Sequence, residues 1–370
     1  MKTRHVPRII FVFTIVSIIL SLWLIAKPMV NNETIPSSTR IPTLPVPSLS
    51  QNTDSFIVRA AIPYWDQENA VSSLKKHADL IDYFSLFWYY LDDEGSIQKY
   101  NSVVEDASLI TFAHDNNIQV SAVITNLPEE GTWDSSRVEN IIADDEKMNK
   151  HIGDIRSLLK RLNFDGVTID YESVDASQRS NFSKFVDKLS LALDVDGRYV
   201  EVALHPKKGL FPTSYAFQDW ETLGKGSVDR VYIMAYEEHY NEGKPGPVAS
   251  FPWVNKIISY AKTQAIDYSK LLLGIPLYGY DWDTDSEDGA DGLTFEEIEQ
   301  LLDDQDESVN WDEKYRSPYF SYDSHVVWFE NAQSFEEKMK LAKENGLGGI
   351  TLWRLGGEDE SIWDVIRKYK

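Results

Sequence analysis

The sequence contains no cysteine, so disulfide bonds and metal sites built on thiolate ligands are excluded. It also lacks an excess of positive charge, because 36 lysine and arginine residues stand against 59 aspartate and glutamate residues, giving a net charge of −23. Such an acidic surface repels polyanions, so no nucleic-acid partner is expected. No glycine-rich phosphate loop follows the first predicted strand, which disfavours a dinucleotide-binding fold.

Apolar and aromatic residues are abundant by comparison. The 370 residues are 42% hydrophobic and 12% aromatic, which is enough for a large core. The 11 tryptophans and 19 tyrosines exceed what a core requires, and flat rings that stack on sugar faces are one use for the surplus.

The N-terminus carries one long apolar run. Lys2, Arg4 and Arg8 precede an uncharged stretch of about 18 residues from Ile9 to Ala26, which is just long enough to span a bilayer. No small-x-small cleavage site follows, so residues 1–27 are predicted to be an uncleaved signal anchor rather than a cleaved signal peptide. The basic N-terminus then stays in the cytoplasm and the remainder is extracytoplasmic, or secreted if the segment is cleaved.

Residues 28–55 predict a linker, because prolines recur there among serine, threonine and asparagine. From Phe56 onward, short apolar runs alternate with amphipathic helices such as Lys147–Leu162. The predicted strands are Phe56–Pro63, Tyr83–Trp88, Gln119–Asn126, Gly166–Glu172, Val200–Leu204, Arg230–Tyr236, Leu271–Leu277 and Gly349–Trp353.

Eight apolar strands separated by helices indicate an α/β fold with a parallel sheet covered on both faces. Eight such repeats fit a (β/α)8 TIM barrel over residues 56–370 better than an open doubly wound sheet. Residues 281–326, between strands seven and eight, are too long for a connection. They predict a small inserted subdomain, with a helix near Thr294–Leu302 and a hairpin near Tyr319–Val327.

The segment Phe164–Glu172 is the most informative part of the chain. Side chains alternate along a strand, so Thr168, Asp170 and Glu172 share one face while Val167, Ile169 and Tyr171 share the other. Two adjacent carboxyls with apolar neighbours suit a sugar-cleaving enzyme, since one can stay protonated while the other is ionised. The competing interpretation is a strand end with solvated acids.

Function in such barrels collects at the C-terminal ends of the strands. Acids and aromatic residues recur at the predicted ends: Trp65, Asp66, Phe87, Trp88, Asn126, Asp170, Glu172, His205, Met234, Tyr236, Glu237, Tyr278, Tyr280, Trp353 and Arg354.

These motifs resemble glycoside hydrolase family 18, the chitinase-like family. Asp165–Glu172 is similar to its DxxDxDxE signature, Met234–Glu237 to its Met-x-Tyr-Asp motif, and Trp353 to its strand-eight tryptophan. The segments 273–280, 326–330 and 352–356 resemble the branch that contains spore-cortex peptidoglycan N-acetylglucosaminidases. Thr168 replaces the middle aspartate of the signature, Glu237 replaces an aspartate, and no peptidoglycan-binding repeats flank the barrel.

The resemblance implies substrate-assisted retention without cofactor or metal. Glu172 would protonate the glycosidic oxygen, Asp170 would accept the acetamido N–H, and Tyr236 would donate to the acetamido oxygen. Because Thr168 cannot share a proton with Asp170, Asp170 is expected to stay ionised. Further substrate contacts are expected from Trp353, Met234, Glu237, Asn126, Trp65, Tyr278, Asp165 and Thr168.

The expected substrate is a polysaccharide containing β-linked N-acetylglucosamine. The enzyme is expected to be a monomer. Peptidoglycan-type glycan is favoured over chitin or chitooligosaccharides. A catalytically silent sugar-binding protein is disfavoured because Glu172 is present, and nothing in the sequence favours a scaffold.

Other charged groups are interpreted as ordinary surface. The acidic cluster in residues 281–291 lacks a calcium-loop register, and His205 and His239 are not spaced as a zinc pair. Lys207 and Lys208, near the predicted mouth, are assigned to surface charge rather than to an acidic substituent on the glycan.

Overall fold

The computed structural model describes residues 56–209, 215–287 and 289–370. The predicted anchor, residues 1–27, and the linker, residues 28–55, lie outside these ranges. Within them, no helix is both long and apolar enough to cross a membrane.

The described residues contain two sheets. Their strands, in chain order, are Ile57–Pro63 (β1), Tyr83–Leu91 (β2), Ile97–Lys99 (β3), Gln119–Thr125 (β4), Gly166–Asp170 (β5), Tyr199–Leu204 (β6), Arg230–Ile233 (β7), Leu271–Pro276 (β8), Tyr278–Asp283 (β9), Asp291–Thr294 (β10), Asn310–Asp312 (β11), Ser317–Tyr322 (β12), His325–Trp328 (β13) and Gly349–Trp353 (β14).

Helices connect and flank these strands. They are Gln67–Lys76 (α1), Ala107–Asp115 (α2), Ser135–Ile142 (α3), Asp145–Leu162 (α4), Arg179–Asp194 (α5), Trp220–Lys225 (α6), Phe251–Ala261 (α7), Phe295–Gln305 (α8), Ala332–Glu344 (α9) and Ile362–Tyr369 (α10).

Eight parallel strands close into a barrel. They run in the order β1, β14, β8, β7, β6, β5, β4, β2, and a β1–β2 pairing completes the circle. The prediction of a (β/α)8 barrel is therefore confirmed. The short β3 adds an antiparallel edge to the extended end of β2.

Local sequence explains the individual elements. Helix α4 begins where the Asp144 carboxylate accepts from the backbone N–H groups of Glu146 and Lys147, and it ends at Asn163 in the left-handed conformation. Its apolar stripe, including Ile155 and Leu159, is buried against the barrel.

Several predicted strand ends differ from the structure. The strand predicted as Arg230–Tyr236 stops at Ile233, because Met234–Glu237 turns away from the ladder with Glu237 at φ +64. The strand predicted as Gly166–Glu172 stops at Asp170, and the strand predicted as Tyr83–Trp88 continues to Leu91 through a register shift.

The segment between β8 and β14 forms its own antiparallel sheet, ordered β10, β9, β13, β12, β11. Helix α8 and this sheet share a small core of Ile298, Phe320, Val327 and Phe329. The sheet spans Tyr278 to Trp328, slightly more than the predicted insertion, and its first strand begins immediately beyond the barrel mouth.

Charged residues cross the barrel interior beneath the mouth. Arg59 and Glu201 are fully buried and form an ion pair at 2.8 Å. Arg59 also donates to Thr351 and Ser85, and Tyr83 donates to Glu201. The strands therefore enclose a satisfied polar layer, which the site residues lie above.

Candidate active site

Asp170 and Glu172 occupy the C-terminal end of β5. Asp170 is the last residue of the strand and is buried, whereas Glu172, two residues further on, is half-buried. Tyr171 between them points outward, where its hydroxyl lies 2.7 Å from Nε2 of His151. The alternation of the strand thus continues past its end and turns both carboxyls toward the mouth.

Asn126 holds the backbone of Glu172 in place. Its Nδ2 donates to the Glu172 carbonyl oxygen at 2.9 Å, and its Oδ1 accepts from the Glu172 N–H at 2.8 Å. Asn126 is completely buried, so it cannot contact a substrate. Its predicted role in substrate binding is wrong, and the structure makes it a positioning residue for Glu172.

His205, at the end of β6, adjoins the Glu172 carboxylate. Its Nε2 lies 3.2 Å from Glu172 Oε2, without hydrogen-bond alignment, and the Tyr215 ring stacks on the imidazole at 3.6 Å between centroids. The His205 N–H donates to Gln218. Sequence reasoning placed His205 at the mouth but not among the site residues, although its position after a barrel strand was a usable signal.

The pKa of Asp170 is raised well above its ordinary value of 3.8, chiefly by burial and next by the negative charge of Glu172. Arg59 opposes this shift, and Glu201 adds to it. Asp170 Oδ1 also has no hydrogen-bond partner among the described residues. This raised pKa runs against the expectation that Asp170 simply stays ionised, because few groups around it stabilise a charge.

Thr168 does not reach the mouth. It is fully buried, donates to Glu201 at 2.9 Å and lies 2.9 Å from the Ser121 hydroxyl, within the polar layer. A contact with substrate is wrong for this residue, because it lies below Asp170 in the barrel.

Asp165 lies at the opposite end of the barrel. It precedes β5, where its carboxylate accepts from the Val120 N–H and pairs with His114 at 3.0 Å. Its predicted substrate contact is also wrong, since a whole strand separates it from the mouth.

Tyr236 and Trp353 form the floor of the mouth. Their rings stack at 6.3 Å with planes 12° apart, and Met234 is buried beside Tyr236. Burial raises the pKa of the Tyr236 hydroxyl well above 10.0, so it remains a hydrogen-bond donor. Gly274 on β8 makes room for this ring, since a Cβ there would lie 3.0 Å from Tyr236 Cε1.

Glu237 joins this floor to the inserted sheet. Tyr278 and Tyr280 both donate to its carboxylate, Tyr280 at 3.0 Å. Burial of the carboxylate raises its pKa, although much of the side chain remains exposed. The inserted sheet thereby supplies two hydroxyls to the mouth.

Trp65 is the exposed aromatic of the group, at 52%, and it meets Trp353 edge to face at 6.3 Å. Arg354 pairs with Asp66 and fixes the rim below it. Trp88, by contrast, is fully buried and donates to Gln67, so it is a core residue away from the mouth.

Two cavities meet at Glu237. The first, of about 240 Å³, is lined by Trp65, Glu237, Tyr278, Tyr280, Gly292, Leu293, Thr294, Trp353 and Arg354. The second, of about 470 Å³, is lined by Trp133, Glu172, His205, Pro206, Lys208, Tyr215, Met234, Tyr236, Glu237, Glu238 and Trp253. Because both cavities include Glu237 and several aromatic rings, together they form an aromatic-walled mouth that suits a glycan.

The two neighbouring lysines differ in environment. Lys207 is buried and donates to the Gln218 carbonyl oxygen, and its burial lowers its pKa to about 8. Its assignment to surface charge is therefore wrong. Lys208 is exposed and lines the larger cavity.

No cluster able to hold a metal ion occurs within the described ranges. Asp281 of the acidic stretch is buried, accepts from Tyr322, and lies 2.9 Å from His325 Nδ1. It belongs to the inserted sheet rather than to a solvated loop.

Comparisons with known proteins agree with this geometry. Residues 61–358 match the family model described as glycosyl hydrolases family 18. The uncharacterized glycosylase YvbX of Bacillus subtilis is 29% identical over 291 residues, covering 75% of this chain and 83% of that protein. The cortical fragment-lytic enzyme of Bacillus anthracis is 26% identical over 321 residues, or 84% and 73% of the two chains.

Solved structures share the fold. The spore cortex-lytic enzyme SleL of Bacillus cereus superposes with a TM-score of 0.78 at 24% identity, over 85% of this chain and 74% of that one. A chitinase of Chromobacterium violaceum gives 0.77 at 25% identity, over 85% and 98%.

Proposed function

The chain belongs to the glycosyl hydrolases of family 18 and is a glycosidase, and we propose that it is a retaining enzyme that cleaves β-linked N-acetylglucosamine polymers of the peptidoglycan type. The observation that carries this proposal is the pair of carboxyls at the end of β5. The two carboxyls share a mouth floored by Tyr236 and Trp353, where burial and the negative charge of Glu172 raise the pKa of Asp170.

The proposed chemistry assigns each carboxyl a separate task. Glu172, which lines the larger cavity, protonates the glycosidic oxygen. The acetamido carbonyl of the substrate attacks the anomeric carbon and forms an oxazolinium ion, which water then opens with retention. No protein nucleophile is needed.

Asp170 accepts the acetamido N–H and stabilises the positive charge that develops on the ring. In the free enzyme its raised pKa favours a proton on Asp170 itself. Once the substrate N–H occupies Asp170, the proton of the pair is better placed on Glu172, where the acid is needed. Substrate binding would then prepare the acid.

Tyr236 holds the acetamido oxygen for attack. Its hydroxyl stays protonated because burial raises its pKa, and Gly274 lets its ring lie close to β8. Trp353 offers a flat face to the same sugar, parallel to Tyr236. This aromatic floor would orient the reacting carbon.

The test is digestion of purified peptidoglycan by the full-length chain in mild detergent, with mass spectrometry of the products. We expect fragments with N-acetylglucosamine at the reducing end, and a loss of about 10²–10⁴-fold in rate for Glu172→Gln. Equal activity of wild type and variant would remove Glu172 from its role. Binding without cleavage would instead indicate a silent sugar-binding protein.

A chitinase activity is the second candidate. It is favoured by the similarity to the Chromobacterium violaceum chitinase structure, which this chain matches over nearly that protein's full length. Chitooligosaccharides in the same assay separate the two, because a chitinase would turn them over faster than peptidoglycan fragments.

We also propose that the apolar run Ile9–Ala26 anchors the barrel on the extracytoplasmic side of a membrane, where such glycans occur. The proposal rests on the charge and length of this segment. Fractionation of cells tests it: the chain should remain in carbonate-washed membranes, and added protease should reach the barrel in intact cells.

A further inference from the structure

The two cavities of the mouth have different relations to the acid. Glu172 lines the larger cavity, whereas Trp353 and Trp65 line the smaller one. A general acid must lie within hydrogen-bond reach of the leaving oxygen. Under the proposed function, the reacting sugar rests on Trp353 and Tyr236, and the sugar that leaves lies beyond Glu172, in the part of the larger cavity that Trp133, Tyr215 and Trp253 line.

This cavity can hold a sugar ring. Its volume of about 470 Å³ is in the range of small-molecule sites. Besides Tyr236 on the floor, the rings of Trp133, Tyr215 and Trp253 line this cavity and offer apolar surface to a pyranose.

Each carboxylate along this wall has a polar neighbour. Glu238 accepts from the Ser250 N–H at 2.9 Å, and Glu237 accepts from Tyr278 and Tyr280. Glu172 adjoins His205.

Lys208 is the lysine that lines the larger cavity. Its ammonium lies over the Trp253 ring at 5.8 Å, and no carboxylate of the described residues lies within ion-pair distance. An unpaired cation is thus presented to the leaving sugar in a protein of net charge −23.

We propose that Lys208 selects a leaving sugar that carries a carboxylate, such as the lactyl ether of N-acetylmuramic acid. That substituent lies at C3, next to the O4 atom that receives the proton from Glu172. A charge-assisted contact between the ammonium and the carboxylate distinguishes this sugar from neutral N-acetylglucosamine. This inference rests on the proposed function and names the substrate class that the site prefers.

Lys208 lines the larger cavity, whereas its neighbour Lys207 does not. Lys207 is turned into the protein, where it binds the Gln218 carbonyl oxygen, so the two lysines point to different surroundings. The Lys208 ammonium lies over the Trp253 ring, and both residues line the larger cavity.

The test compares kcat/KM of the full-length chain on two tetrasaccharides of alternating N-acetylglucosamine and N-acetylmuramic acid. One carries free lactyl carboxylates, and the other carries the same groups as neutral methyl amides. Wild type should prefer the charged form, and Lys208→Met should lower that preference about tenfold, mainly through KM. Lys208→Arg should retain most of it, and rising salt should weaken it.

Lys160→Met is the matched control, because Lys160 is an exposed lysine of α4 remote from the mouth. It should leave the preference unchanged. An equal preference in wild type and Lys208→Met, with both enzymes active, would overturn the role of Lys208 and leave the proposed function intact. Absence of cleavage of either substrate by wild type would overturn both.

Discussion

Asp170 and Glu172 are separated only by Tyr171, yet their side chains have different surroundings. Asp170 is enclosed by the barrel, and one of its oxygens has no hydrogen-bond partner among the described residues. Glu172 is half-buried, its backbone is held by Asn126, and His205 adjoins its carboxylate. Their pairing was predictable from the alternation of a strand. The raised pKa of Asp170 was not, because it depends on burial and on Glu201 from another strand.

Asp170→Asn should increase stability at neutral pH while decreasing activity. The folded chain holds a proton on Asp170 above pH 3.8, whereas the unfolded chain releases it, so wild type loses stability as the pH rises from about 3.8 to the raised pKa. This loss is at most about 1.4 kcal/mol per pH unit, and asparagine does not incur it.

Urea unfolding of both proteins from about pH 3.5 to about pH 7.5 measures this difference. The variant should match wild type at the acidic end and exceed it increasingly above. A difference that shrinks as the pH rises would contradict the raised pKa.

Thr168→Asp should destabilise the fold rather than retune Asp170. The new carboxylate would be buried beside Glu201, whose charge Arg59 already neutralises. An uncompensated buried charge costs about 3–5 kcal/mol. Denaturant unfolding checks this, with Thr168→Val as the control that only removes hydrogen bonds; normal stability with an altered pH profile would contradict it.

At the scale of elements, the apolar runs of the sequence predicted where the barrel strands lie, but they did not predict where each strand ends. After Arg230, the run 231–236 is apolar or aromatic throughout, and only tertiary contacts show that the ladder stops at Ile233. Because the strand ends at Ile233, Tyr236 and Glu237 lie outside the ladder and line the mouth. Functional residues are thus where a period-based prediction is weakest.

Gly274→Ala should test how closely β7 and β8 approach. A Cβ at this position would lie 2.5 Å from the Ile233 carbonyl oxygen and 3.0 Å from Tyr236 Cε1. Either the strands separate or the Tyr236 ring moves, and a displacement near 1 Å can cost about 10²-fold in rate.

Activity per folded molecule, with circular dichroism as the fold check, measures the effect. Gly153→Ala in α4 is the control, since a Cβ there meets nothing within 4 Å. Full activity of Gly274→Ala would show that this close approach does not position Tyr236.

For the whole molecule, the barrel was predictable because eight strand-helix repeats leave few alternatives. The polar layer inside it was not. Glu201 looks like an interruption between Val200 and Val202, and its partner Arg59 is distant in sequence. No spacing or motif in the sequence pairs these two residues, and the same holds for Thr168, which joins that layer instead of the site.

The inserted sheet was also only partly predictable from the sequence. A subdomain was expected from the length of residues 281–326, but its contribution of Tyr278 and Tyr280 to Glu237 depends on how it attaches at the mouth. The complete mouth is therefore a product of barrel and insertion together.

The most direct test of the account is the anomeric form of the first product. Proton NMR during hydrolysis of a peptidoglycan tetrasaccharide by the full-length chain resolves the new reducing end before it mutarotates. Attack by the substrate acetamido group, assisted by Asp170 and Glu172, predicts the β-anomer first. Initial appearance of the α-anomer would mean direct inversion by water and would contradict the mechanism.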